Sequence, residues 1–324
     1  MNKLTLTLGG LCVFFMVGIF IGVFFGPTGM PFRDFWDAVV FQKDGPHSVI
    51  IWDLRLPRVI AAMLVGMSLG VAGAMIQLST RNPLGDPQIF GVSGGAAIVQ
   101  ALGFAGVVTF SGFSFFVTSA AAALIGSIFI SLISSRKDIG QARLALIGIS
   151  VSAISVAISV GILVHSRVFT QQSLVFISGS FANRGWHDVI PALPIIALGM
   201  ILAFSISGRL NILILGDSIA RNMGSSPETT RIISFGAAGI LSGVAVAIGG
   251  LIGFVGLLTP YVVRLFVGND SRVLVLFSAF VGSILVLFAD QVARLALMPS
   301  EIPVGMVTTL IGAPLMIVIA RRIL

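Results

Sequence analysis

Ionisable side chains are scarce inside the hydrophobic stretches of this 324-residue chain, and one pair stands out. Asp290 and Arg294 sit in Phe288-Ala289-Asp290-Gln291-Val292-Ala293-Arg294. Spacing i, i+4 puts both on one helix face, where each neutralises the other. Such a group in an apolar span marks either a structural ion pair or a proton relay. A lone pair fits the structural role, since a relay needs a chain of carboxylates. The three histidines, His47, His165 and His187, fall between the apolar runs with no second ligand at metal-binding spacing. Nucleophile-elbow, zincin, Walker A and paired-carboxylate patterns are absent from the sequence. Without a phosphate-binding loop, any ATP-driven work needs another chain.

Two connectors carry unusual chemistry for their positions. Thr80-Arg81-Asn82-Pro83-Leu84-Gly85-Asp86-Pro87 is tight and polar, and each proline restricts the residue before it. It runs into Gly91-Val92-Ser93-Gly94-Gly95, which is too glycine-rich for a simple helix start. Gly216-Asp217-Ser218-Ile219-Ala220-Arg221-Asn222-Met223-Gly224 reads as a short amphipathic helix between glycine breaks. Asp217 suits its N-terminal end electrostatically. That segment is either a surface turn or a docking knob for a partner.

The elements that must position these residues are membrane spans. Lys+Arg 19 and Asp+Glu 12 make only 10% of the chain charged, against about 25% in soluble proteins, while 56% is hydrophobic. One cysteine, Cys12, excludes a disulfide scaffold. A bilayer core takes about 20 apolar residues as a helix. Charge-free runs cover 4–32, 59–80, 87–135, 144–164, 189–208, 232–263, 273–289 and 302–320. The run 87–135 holds two spans with a turn near 109–115. The run 232–263, with Gly249, Gly250, Gly253, Gly256 and Pro260, predicts a full span followed by a shorter or broken one. About ten helices result, in one transmembrane domain over 1–324. The first run is kept as an anchor and not a cleaved signal, because it lacks a small-x-small site.

Orientation follows from Lys and Arg in short loops. With ten spans and the N-terminus inside, twelve of the 19 basic residues fall in inner loops and seven in outer ones. Both termini are therefore expected in the cytoplasm, and the net charge of +7 reads as topology, not as a nucleic-acid footprint. Arg55, Arg58 and Arg294 fall outside; Arg81, Arg209, Arg221 and Arg272 fall inside. Gly70-Val71-Ala72-Gly73-Ala74 and Gly243-Val244-Ala245-Val246-Ala247 share GVAxA in spans of opposite direction. Inverted-topology repeats leave such a trace; close packing through small residues is the simpler reading.

Together these motifs resemble the FecCD family. The resemblance is carried by Arg55-Leu56-Pro57-Arg58, Arg81-Asn82-Pro83-Leu84-Gly85-Asp86-Pro87, Gly91-Val92-Ser93-Gly94-Gly95-Ala96 and Leu215-Gly216-Asp217…Ala220-Arg221…Gly224. Gly253-Phe254-Val255-Gly256-Leu257, Glu301-Ile302-Pro303-Val304-Gly305 and Ile311-Gly312-Ala313-Pro314 complete it, in order from about residue 50 onward. Members are permeases of ABC importers for ferric siderophores, haem and vitamin B12. The resemblance implies an all-α type II importer permease of ten spans with an inverted repeat.

It also implies partners: a second permease subunit, identical or related, two cytoplasmic ABC ATPases and an extracytoplasmic binding protein. ATP and Mg would be used by the ATPases, with no cofactor or metal bound here, so the chain would not be an enzyme by itself. Residues matching Arg55, Arg58 and Arg294 meet glutamates of the binding protein in the vitamin B12 transporter. Asn82, Leu84, Gln141 and Ala142 match the cytoplasmic gate. Asp217, Ser218, Ile219, Ala220, Arg221, Asn222, Met223 and Gly224 match the helix that couples to the ATPase. Where the family commonly has Pro-His-x-x-Arg, this chain reads Pro260-Tyr261-Val262-Val263-Arg264, which removes a group titrating near neutral pH. A ferric siderophore is the first expected cargo; haem, vitamin B12 and an ion-coupled carrier or lipid-directed enzyme stand as alternatives.

Overall fold

Without water, backbone groups in a bilayer must be satisfied within the chain, and helices do this segment by segment. The computed structural model describes residues 3–41, 45–135, 140–166, 176–298 and 300–323, and every long element in them is a helix. In chain order these are α1 (Lys3–Phe24), α2 (Phe32–Val40), α3 (Pro46–Thr80), α4 (Gly94–Phe104), α5 (Gly112–Ser134) and α6 (Gln141–His165). They continue as α7 (Trp186–Ile214), α8 (Asp217–Asn222), α9 (Pro227–Gly249), α10 (Val255–Val267), α11 (Ser271–Leu295) and α12 (Val304–Ile323). Helices α3, α5, α6, α7, α9 and α11 are long and apolar enough to cross a membrane, and α1, α4, α10 and α12 add shorter apolar stretches. Six full spans and four shorter apolar helices thus stand among the described residues against the ten spans expected. Lys43, Arg136, Lys137 and Arg167 of the topology count lie outside the described residues.

The run 87–135 divides into α4 and α5 around 105–111, and 232–263 divides into full-length α9 and short α10. One boundary moves. The helix carrying Arg55 and Arg58 begins at Pro46, not at 59, and includes a wider π-helical turn over Ile50–Arg55. Both arginines thus sit inside a helix instead of in a loop, because their charges find partners within the bundle.

Helices α3 and α9 form the buried centre. They run antiparallel, with Arg231 Nε near the start of α9 donating to the Ser79 carbonyl near the end of α3 at 3.4 Å. Each uses a glycine face to approach the opposite half of the chain. On α3, Gly66 lies against the Gly282 backbone, Gly70 against the Ser278 carbonyl and Gly73 against the Gly256 carbonyl, so α10 and α11 pack there. On α9, Gly239 meets Ser127 and Ala123, and Gly243 meets Ser119 and Ala120, all on α5. The paired GVAxA patterns therefore occupy equivalent interfaces, as an inverted repeat requires.

Gly73 is the tightest of these contacts: a Cβ there would overlap the Gly256 backbone directly. Gly73→Ala should lower the thermal midpoint of the detergent-solubilised chain by several degrees, since overpacking costs about 1–3 kcal/mol. Gly161→Ala, on an open face of α6 with no atom within 4 Å, should leave the midpoint unchanged or raise it slightly.

Candidate functional site

Three places concentrate polar groups: the two ends of α3 and the broken connector beside α10. At the first end, α1 finishes with carbonyls that have no helical partner. Arg55 supplies the missing donors. Its Nη1 donates to the carbonyls of Val23 at 3.0 Å and Phe24 at 2.5 Å, and its Nη2 to that of Thr28 at 2.6 Å. Arg294 Nη2 donates to the Gly22 carbonyl at 2.8 Å. Both residues are buried, at 4% and 2% exposure.

Asp290 does not pair with Arg294 as the i, i+4 spacing led us to expect. Its carboxylate takes a fork from Arg58 of α3, with Nη2 to Oδ1 at 2.9 Å and Nε to Oδ2 at 3.1 Å. Arg294 instead turns toward α1, whose bare carbonyls compete for it. Arg58 Nη1 reaches outward to Glu301 at 2.9 Å. A cavity of about 650 Å³ opens here, lined by Arg55, Arg58, Arg184, Trp186, Arg294 and Glu301 among others. Trp186 Nε1 donates to the Trp52 carbonyl at 2.8 Å, holding the start of α7 against the wide turn of α3. The three sequence-predicted arginines therefore converge on one cavity, with Arg58 the most outward of them.

At the far end, α8 is bounded by Gly216 (φ 116°) and Gly224 (φ 76°), backbone conformations that favour glycine. Asp217 ties this short helix to both central spans: it pairs with Arg81, the residue after α3, and with Arg231 of α9 at 2.8 Å. Partial burial pushes its carboxyl upward, but the hydrogen bond and charge of Arg231, then of Arg81, win and hold it below its ordinary value. Ala220 is buried beneath α8, while Ile219, Arg221 and Met223 face outward. Arg221 bonds Glu228 at 2.5 Å on the exposed side. Ser218, Asn222 and Gly224 are exposed as well.

From this far end the connector 81–93 leads on toward α4. Asn82 Oδ1 accepts the Leu84 amide at 2.9 Å, forming the tight turn expected around Pro83, and the Leu84 side chain is exposed. Ala142 is exposed in the first turn of α6, and of Gln141 only the backbone is described. The connector packs on α6 further along, where a Cβ on Gly148 would press on Phe90. A second cavity, of about 1090 Å³, is lined by Gln88, Ile89, Ser152, Val156 and Val160 and opens along α6. Tyr261 is half-buried on α10 beside Leu257 and Leu258.

One residue central to this region was not singled out from sequence. Gln77, buried in α3, donates through Nε2 to the carbonyls of Gly85 at 3.2 Å and Leu257 at 3.2 Å. Its Oε1 accepts Arg264 Nη1 at 2.7 Å. The only available signal is a lone amide in an otherwise apolar, small-residue run. Asp86, also buried, accepts the amides of Gln88 at 2.8 Å and Ile89 at 3.3 Å and faces the first turn of α10.

Long buried helices, shorter ones beside them and polar assemblies at both ends make a multi-pass membrane bundle, and its fold is that of the type II ABC importer permeases. Residues 14–322 match the FecCD transport family, and the chain belongs to it. It is 36% identical over 97% of its length, and 82% of the relative's, to the iron(3+)-hydroxamate import system permease protein FhuB of Bacillus subtilis. The Fe(3+)-citrate import system permease protein YfmD of the same organism is 34% identical over 96% of this chain and 92% of its own. The cobalamin import system permease protein BtuC of Halobacterium salinarum is 35% identical, over 84% of this chain and 73% of its own. Among solved structures, a metal-chelate type ABC transporter in an inward-facing conformation superimposes with a TM-score of 0.83 at 29% identity, over 98% of this chain and 99% of that one.

The two carboxylates on Arg58 differ in burial, at 1% side-chain exposure for Asp290 and 28% for Glu301. Asp290→Ala should destabilise the chain by about 3 kcal/mol, because it strands a largely buried cation. Glu301→Gln should cost under about 1 kcal/mol, as for exposed pairs. Thermal unfolding of the two variants in the same detergent measures the contrast; equal losses would refute it.

Proposed function

We propose that this chain is one permease subunit of a binding-protein-dependent ABC importer that carries a ferric siderophore complex across the cytoplasmic membrane. The observation that carries the cargo is the near-full-length likeness to permeases named for hydroxamate and citrate iron import. Vitamin B12 is the second reading, favoured by the likeness to the cobalamin permease over a smaller share of the chain.

In this reading both termini are cytoplasmic, consistent with the twelve-to-seven division of basic residues. A second permease, identical or related, faces the open α6 cavity, so that each subunit contributes half of a pathway wide enough for an intact chelate. The cavity at Arg55, Arg58 and Arg294 receives carboxylates of the binding protein. Arg58 meets them first, since Arg55 and Arg294 are committed to α1. A planar guanidinium suits that bidentate contact. Asn82, Leu84, Gln141 and Ala142 close the cytoplasmic end of the path. Helix α8, with Ile219 and Met223 exposed, docks into an ATPase subunit, which uses ATP and Mg; this chain holds neither and does no chemistry of its own. Its tie through Asp217 to the ends of α3 and α9 makes α8 a lever on the central helices.

Cells with and without the chain, in a background lacking parallel importers, should differ in uptake of one labelled ferric siderophore. Loss of cobalamin or haem uptake instead would overturn the cargo while leaving the importer class. Uptake in vesicles without any ATPase would overturn the importer mechanism in favour of an ion-coupled carrier. For the lever, Arg221→Glu should reduce transport-coupled ATP hydrolysis in the assembled importer about tenfold or more, with normal insertion. Unchanged coupling would refute α8 as the docking element.

A further inference from the structure

Helices α7 and α11 leave a groove between them that the transport reading does not use. Near the end of the molecule that carries α8, a cavity of about 610 Å³ is lined by Arg209, Arg272, Ser205 and Gly208, together with Phe204 and Leu276. The same Phe204 and Leu276 also line a second cavity, of about 310 Å³, whose walls are almost wholly apolar. That one reaches toward the middle of the bundle, past Met200 and Phe280, to Phe15 and Met67. The two adjoin at these residues, a cationic mouth beside an apolar crevice. Along α11 the lining steps from Arg272 through Leu276 and Phe280 to Ser283, which is about 16 Å of helix.

The mouth is built, and Arg272 shares it with the charge of Asp270 beside it. Among the described residues, neither Arg209 nor Arg272 has a carboxylate within ion-pair distance of its guanidinium. Asp270, at the start of α11, is hydrogen-bonded elsewhere: its Oδ1 accepts the Arg272 amide at 2.9 Å and Asn211 Nδ2 at 3.3 Å. Asn211 Oδ1 in turn accepts the Ser271 amide at 2.7 Å, so the end of α7 is laced to the start of α11 and the arginines are held across one gap. The Arg272 guanidinium lies against Gly208, where a Cβ would stand 2.9 Å from Nη2.

We propose that this groove is a specific site for one anionic phospholipid. Its phosphate sits between Arg209 and Arg272, and an acyl chain lies in the crevice below Phe204 and Leu276. Charge complementarity selects the headgroup, since basic pockets between spans at the membrane surface attract anionic lipids. The apolar crevice selects a lipid over a soluble anion, because only an amphiphile satisfies both halves. Bound there, the lipid touches α1, α3, α7 and α11, whose residues line the crevice. The proposal rests on the membrane-spanning fold and not on the cargo, so a change of cargo leaves it intact.

The test uses the full chain, delipidated in detergent and offered equal amounts of phosphatidylglycerol and phosphatidylcholine, with retained lipid counted by native mass spectrometry. The wild type should keep phosphatidylglycerol preferentially. Arg209→Gln with Arg272→Gln should abolish that preference, lowering phosphatidylglycerol retention roughly tenfold while phosphatidylcholine is unchanged. Leu276→Trp, which fills the crevice and leaves both charges, should lower retention of both lipids. Wild-type retention of phosphatidylglycerol by the double variant would overturn the proposal. So would equal thermal stabilisation by inorganic phosphate and by phosphatidylglycerol, which would make this a free-anion site. Loss of coupled ATP hydrolysis in the assembled importer with lipid preference intact would assign the arginines to the ATPase and overturn it too.

Discussion

The structure depends on satisfying backbone polar groups where helices stop inside an apolar environment. A span that runs straight through needs nothing beyond its own hydrogen bonds. A connector that dips between α3 and α4, and a short α10 that starts deep in the bundle, expose carbonyls with no water to take them. Gln77 resolves much of this at one point, donating to Gly85 and Leu257 while Arg264 bonds its oxygen. Asp86 does the complementary task, accepting amides of its own turn. The irregular backbone beside the α6 cavity exists because these two buried side chains make it affordable.

A second dependence is on close approach. A polar side chain can bridge broken helices only if the backbones are near, and α3 and α9 achieve that with glycine faces. Gly66, Gly70 and Gly73 bring α10 and α11 onto α3, and Gly239 and Gly243 bring α5 onto α9. Because the two faces are used equivalently on antiparallel helices, the halves interlock instead of sitting side by side. Helix α8 is then joined by Asp217 to the ends of both central helices, the most buried part of the molecule.

The same economy explains the arginines. Three cations gathered at one end could be read as a surface for acidic partners. In the folded chain Arg55 and Arg294 serve the carbonyls of α1 and its following loop, and Arg58 is shared between Asp290 and Glu301. The geometry of all three guanidinium groups is therefore set internally, and Arg58 alone of them reaches a partly exposed carboxylate, Glu301.

Much of the architecture was legible in the sequence. Charge-free runs located the spans, the glycines from 249 to 256 announced the broken one, and Gly216 and Gly224 bounded α8 correctly. These succeed because a bilayer imposes a one-dimensional rule on composition, and because glycine at a break is a local requirement. Partner choice is not local. That Asp290 would bond Arg58, more than two hundred residues away, and not Arg294 one turn on, depended on α3 lying against α11 and on α1 ending beside Arg294. Gln77 was unreadable for the same reason: an amide in a helix gives no hint of which carbonyls it will meet. Composition and the length of the charge-free runs determined that this chain is a bundle of membrane helices. The tertiary structure alone decided which polar groups satisfy one another, since without water that depends on which helices touch.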